Sequence, residues 1–122
     1  TPVDKAKRKW YSCVRMNIRT EEFVARLNSD CRRRHIHSHY KGKVVSFSVQ
    51  LEVRFRNNWH PIVRYDTAHG FAHRDFIHPG GRIDKTPLFL QDYNESLIFA
   101  EEDIKNNWEL YREKFITEAQ ND

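Results

Sequence analysis

The sequence predicts an α+β fold: an antiparallel sheet of about five strands, with a short helix from the N-terminal half and a long C-terminal helix packed on one face. Three observations carry this. Val45, Phe47, Val49, Leu51, Val53 and Phe55 alternate with Ser46, Ser48, Gln50, Glu52 and Arg54, the period of a strand with one buried and one wet face. Leu97, Ala100, Ile104, Trp108, Tyr111 and Phe115 recur every third or fourth residue, the stripe of an amphipathic helix whose far side bears Glu102, Lys105, Glu109 and Glu113. Turn signals at Asn57-Asn58 and Pro79-Gly80-Gly81 separate further extended runs between these two elements.

Taken in order, residues 1–9 read as a polar, frayed lead-in to a single domain spanning 1–122. Trp10 to Ile18 alternates Ser12, Val14, Met16 and Ile18 with Tyr11, Cys13, Arg15 and Asn17, and is predicted as a strand. Thr20 is a candidate N-cap, followed by Glu21 and Glu22 where a helix dipole favours acids. Phe23, Val24, Leu27 and Cys31 then fall on one helical stripe, so a short helix is expected from Glu21 to Arg34. The tract RRRHIHSHYKGK, residues 32–43, is expected as a basic loop. Within it His35, His37 and His39 would share one face if the chain were extended, although no cysteine or acid completes a structural metal site. After the strand from Val44 to Phe55, a strand begins at Trp59, breaks at Thr67-Ala68-His69-Gly70 and resumes from Phe71 to His78. Arg82 to Phe89 forms one more strand, and Asp92 or Asn94 caps the last helix.

The formal charge is +4, but the basic residues crowd the first 43 positions and the last thirty lean acidic. A basic surface suits a polyanionic partner, with nucleic acid first. Arg32, Arg33, Arg34, Arg74, Lys41 and Lys43 are the candidate contacts. Cys13 and Cys31 fit no metal or redox spacing, which suits a reducing, cytoplasmic setting. No apolar run approaches the roughly 20 residues of a membrane helix, so a soluble protein without a membrane partner is expected. There is no Gly-rich phosphate loop, no nucleophilic Ser or Cys with a partner and no paired-carboxylate arrangement, which argues against nucleotide hydrolases, proteases and glycosidases.

Chemistry concentrates between Trp59 and Arg82. That stretch holds His60, His69, His73 and His78, four of the seven histidines, together with Asp66, Asp75, Arg64, Arg74 and Arg82. A hairpin needs alternation and a turn, not this density of titratable groups. The run Arg64-Tyr65-Asp66-Thr67-Ala68-His69, followed by a histidine-bearing strand and a Pro-Gly-Gly turn, resembles TumE-type toxins of prokaryotic toxin–antitoxin pairs. Those toxins carry an Arg-Tyr/Trp-Asp-x-Ala-Pro-His-like run and then a Pro-His-His-x-His segment. Here no proline precedes His69, and the second cluster is reduced to His73 with Arg74 and Asp75 beside it. An uncharacterised conserved-domain family sharing the run RYDTAHGFAHRD is an equal home, and membership there implies no activity. The toxin resemblance implies action on RNA and a protein antitoxin as partner.

Metal-independent RNA cleavage needs a base for the 2′-OH, an acid for the leaving oxygen and a cation near the phosphorane. Histidine serves either proton role near neutral pH, and arginine's planar fork suits phosphate oxygens. His69 and His73 are thus the candidate acid/base pair, Arg64 or Arg74 the phosphate contact, and Asp66 the residue that orients an imidazole. On this reading no metal or cofactor is required, and a three-ligand set of His69, His73 and Asp75 is the metal alternative. A non-catalytic nucleic-acid or protein-binding module is the competing class. There, Asp66 and His69 merely pin the loop, and Tyr65 and Phe71 are core.

Overall fold

The structure, a computed structural model, describes residues 17–90 and 92–121, together with the backbone of residues 4–13. Seven strands form one sheet in sequential order: β1 (Asp4–Cys13), β2 (Ile18–Asn28), β3 (Cys31–Tyr40), β4 (Lys43–Phe55), β5 (Asn58–Asp66), β6 (His73–Ile77) and β7 (Ile83–Pro87). Every neighbouring pair is antiparallel. A single long helix, α1 (Tyr93–Gln120), packs across β4 and β5 on one side.

The sheet and the C-terminal helix agree with the sequence; the N-terminal helix does not. Residues 21–34 are instead the end of β2 and the start of β3, turning at Ser29-Asp30. The stripe that suggests a helix also contains a period of two, since Glu21, Phe23 and Ala25 are all buried. Pairing decides between the two periods. Phe23 lies opposite His35 and Ala25 opposite Arg33, so the segment gains a neighbour strand on each side. A helix of that length has little stability of its own to set against such pairing. Asn28 completes the turn by accepting a hydrogen bond from the Asp30 amide at 2.8 Å.

The expected basic loop over 32–43 is also a strand, closed by a two-residue turn at Lys41 and Gly42 with φ of 49° and 77°. The N-terminal strand is displaced: Asp4 to Lys9 pair with β2 rather than trailing as a lead-in, and β1 ends at Cys13. Val14 and Met16 of the predicted strand lie outside the described residues. The β4–β5 turn falls on Arg56 and Asn57, both at positive φ, one residue earlier than the Asn57-Asn58 reading.

The core lies between β3–β5 and α1. Phe47, Val49, Leu51 and Val53 bury their side chains, as their alternation requires, against Leu97, Ala100, Ile104 and Phe115. Trp108 and Tyr111 are only partly buried at its margin. Asp92 caps α1 by accepting from the Glu95 amide at 2.9 Å, while Asn94 accepts from the Val44 amide at 2.9 Å and ties the helix start to β4. The Cys31 thiol, sunk in this core, has its pKa pushed up to about 11 by burial. No helix among the described residues is long and apolar enough to cross a membrane.

Ile104 is fully buried at the centre of this interface. Ile104→Ala is expected to cost about 2–5 kcal/mol in urea-induced unfolding, through lost burial and a residual cavity. Glu102→Ala, on the exposed side of α1, is expected to stay within about 0.5 kcal/mol of the parent.

Candidate functional site

Strand alternation distributes the Arg64–His69 run over both faces of the sheet. Tyr65 points under α1, where its hydroxyl donates to Asp103. Arg64 and Asp66, the neighbours of Tyr65, therefore face the other side, which no helix covers. There the Arg64 Nε donates to Gln50 Oε1 at 2.7 Å.

Beyond Asp66 the chain leaves the ladder in a pinned loop. The Thr67 amide donates to Phe47 O at 3.2 Å, and the Phe47 amide donates to Thr67 Oγ1 at 3.1 Å. Asp66 Oδ1 accepts from the Ala68 amide at 3.2 Å. Gly70 closes the turn at φ 83°, with its amide on Thr67 O at 3.2 Å. Asp66, Thr67 and Gly70 thus have local structural work. His69 is exposed and has none of these tasks.

The loop returns the chain so that His73 stands directly across from Asp66, and Asp75 across from Arg64. His73 Nε2 lies 2.8 Å from Asp66 Oδ1 and 3.7 Å from Asp75 Oδ2. Its Nδ1 faces Phe71 O at 3.4 Å. Lys85 of β7 brings its Nζ within 3.1 Å of Asp75 Oδ1, an atom that makes no hydrogen bond. The His69 ring stacks beside that of His73 at 5.8 Å between centroids, and Phe71 leans on the same ring at 5.5 Å. His73 is 1% exposed and Asp75 3%.

The two histidines singled out from the sequence are therefore neighbours, but they are not equivalent. His69 can meet a solute. His73 is sealed, with Nε2 facing Asp66 Oδ1 at 2.8 Å and Nδ1 facing Phe71 O at 3.4 Å. The imidazole that Asp66 meets is that of His73, at 2.8 Å. The remaining histidines of the stretch go elsewhere: His60 packs on Phe115 at 5.5 Å, and His78 joins the C-terminal part of α1.

The proposed nucleic-acid contacts divide similarly. Arg74 follows His73 on β6 and so lies on the helix side, over the Phe76 ring at 4.4 Å. It cannot line the His69 cluster. Arg33 also faces the helix side; burial lowers its pKa, and its Nε has no hydrogen-bond partner. Arg32 and Arg34 do lie on the uncovered face, where both donate to Glu52 at 2.6 and 3.1 Å. Burial opposes charge on Glu52, yet the hydrogen bonds from Arg32, Arg34 and Gln50 hold its pKa below the ordinary carboxylate value. Arg32 also stacks over Trp59 at 3.9 Å. Lys41 and Lys43 are exposed at the β3–β4 turn, at the same end of the sheet as the His69 loop.

Lys85 was not foreseen, because its place beside Asp75 depends on the β6–β7 register. The histidine tract does share a face, as expected of an extended chain: His35 Nε2 and His37 Nδ1 are 2.7 Å apart, and His39 stacks on His37 at 5.8 Å. Glu21 of β2 supplies an acid that local spacing did not reveal, 3.9 Å from His37 Nε2.

Fold and cluster together define a class: an antiparallel meander with one face under a helix and a His/Asp cluster on the other. The chain belongs to the family described as a domain of unknown function, DUF7718, whose model matches residues 18–121 and so begins with β2. No curated protein and no solved structure matches the chain.

A second ionic cluster joins the sheet to the end of α1. His78 Nδ1 lies 2.8 Å from Glu118 Oε1, and its Nε2 lies 2.7 Å from Asp84 Oδ2. The hydrogen bond to Glu118, then that to Asp84, raises the His78 pKa above its ordinary 6.5. Folding thus favours protonated His78. The stabilisation is complete below about pH 6.5 and fades as pH rises through the raised native value. His78→Gln is expected to flatten the decline in Tm between about pH 6 and about pH 8. The difference should shrink in high salt, because both carboxylates are well exposed. Thermal unfolding across that range checks it.

Proposed function

We propose that this protein acts on RNA through the cluster on the helix-free face, in the manner of a toxin-like ribonuclease. The observation that carries the reading is the exposed His69 ring, stacked on a sealed His73–Asp66 pair at the mouth of a loop whose other polar residues are structurally employed. His69 is the proton-transfer group, since it alone of the two histidines meets solvent. Arg64, anchored by Gln50 on the same face, is the phosphate contact. His73 and Asp66 hold the loop in register beneath them. Lys41 and Lys43 extend positive charge along the same end of the sheet. A protein antitoxin covering this face is the partner that the reading implies.

One observation favours a second reading, a nucleic-acid-binding module without chemistry. Arg32 stacked on Trp59, with Arg34 beside it, offers a surface for phosphates and bases whether or not His69 reacts.

Purified protein and a labelled RNA separate the two. Cleavage is expected, with His69→Ala slowing it by about 10²–10⁴ and leaving the circular dichroism spectrum unchanged. Arg64→Ala should chiefly weaken binding. Binding that falls steeply with salt, without any cleavage with or without added divalent ions, would leave the binding module. Absence of both binding and cleavage would overturn the RNA reading.

A further inference from the structure

Asp66, His73 and Asp75 present a chemical imbalance that the proposed RNA chemistry does not resolve. The oxygens paired with the His73 ring nitrogens are all acceptors: Asp66 Oδ1 at 2.8 Å, Asp75 Oδ2 at 3.7 Å and Phe71 O at 3.4 Å. A neutral imidazole has one N–H to give, whereas an imidazolium has two. If Nδ1 donates to Phe71 O, the Nε2 lone pair faces a carboxylate; if Nε2 donates to Asp66, a lone pair faces the carbonyl. Two carboxylates converge on His73 Nε2, Asp66 through Oδ1 and Asp75 through Oδ2, while the other Asp75 oxygen, Oδ1, faces Lys85 Nζ at 3.1 Å and the residue is 3% exposed. Burying such charge is unfavourable unless a cation compensates it. Among the described residues the cation that pairs with Asp75 is Lys85, whose side chain is 42% exposed.

From this convergence we infer a binding site for a divalent transition-metal ion held by Asp66, His73 and Asp75. One ligand atom from each lies within 4.8 Å of the others. Two donors bound at about 2.0–2.2 Å to one ion stand about 3–3.5 Å apart. His73 Nε2 is 2.8 Å from Asp66 and 3.7 Å from Asp75, so the carboxylates would adjust by a fraction of an ångström or more to close on an ion. One imidazole and two carboxylates form a borderline-to-hard donor set that suits Zn²⁺ or Mn²⁺. Donation from Nδ1 to Phe71 O would leave Nε2 free to ligate, the usual arrangement for a metal-bound histidine. The ligands also come from paired strand positions. Asp66 and His73 are a direct cross-strand pair, and Asp75 follows two residues later on the same face of β6. In the ion's absence the Lys85 ammonium supplies the positive charge, and its exposed side chain can swing away when the ion enters. Three protein ligands leave coordination positions for water, which a bound ion makes more acidic.

The site does not depend on RNA being the substrate, and direct metal binding tests it. The purified full chain, stripped with chelator and dialysed, is titrated with Zn²⁺ by calorimetry and with Mn²⁺ by electron paramagnetic resonance. One equivalent is expected to bind, with a rise in Tm as the bound form is favoured. Asp66→Asn, whose side chain is partly exposed and whose fold is checked by circular dichroism, should lower affinity at least about tenfold. Lys85→Gln should raise it about fivefold, because it removes a positive charge beside the ligands. That gain is a result that damage to the fold would not produce. Failure to bind either ion with Kd below about 1 mM, or equal affinity in Asp66→Asn, would overturn the site. So would a Lys85→Gln protein that binds no more tightly. Metal binding with neither RNA binding nor RNA cleavage would keep this site and remove the RNA reading; cleavage without metal binding would do the reverse.

Discussion

The hydrogen bond from the Tyr65 hydroxyl to Asp103 is the constraint on which the rest of the molecule turns. Asp103 also accepts from Tyr111 at 2.8 Å and from Asn107 Nδ2 at 2.7 Å, so one carboxylate gathers two phenols and an amide beneath α1. Burial, and then the bond to Asp103, pushes the Tyr65 pKa upward, which keeps the phenol a donor at any ordinary pH. Polar groups buried in this way are stabilising only when every partner is in place, and here the partners come from both layers of the fold. The bond therefore sets which residues of β5 face the helix.

Alternation then transmits that choice to the opposite face. With Tyr65 held under α1, Arg64 and Asp66 must project from the uncovered side, and the pairing of β5 with β6 brings His73 and Asp75 to the same place. A slip of one residue would exchange these sets, placing Asp66 in the core and Tyr65 in water. Core and candidate site are thus two consequences of one register. This is also why Arg74 and Arg33, basic residues adjacent in sequence to site residues, do not belong to the uncovered surface.

The charge of the uncovered face is more balanced than the sequence total suggests. Glu52 is engaged by Arg32 and Arg34, and Asp75 by Lys85, so much of the positive charge in this region is spent within the sheet. Arg26 and Arg54 are exposed on the same face, and Lys41 and Lys43 are exposed at the β3–β4 turn.

The sequence by itself determined the elements whose residues carry a single unambiguous period. The alternation from Val45 to Phe55 admits only a strand, the stripe from Leu97 to Phe115 only a helix, and Pro79-Gly80-Gly81 only a turn, with both glycines at positive φ. It also singled out Asp66, His69 and His73, which the sheet brings together, because local runs of titratable residues are visible without a fold. Tertiary structure decided the segments whose periods conflict. Phe23, Val24, Leu27 and Cys31 fit a helical stripe, but pairing of β2 between β1 and β3 outweighs a short helix that has little stability alone. Only the assembled sheet could show that His73 is sealed while His69 is exposed, that Lys85 stands beside Asp75, and that Arg74 faces away. Those facts depend on cross-strand register and burial, which join residues distant in the chain and leave no local trace in its order.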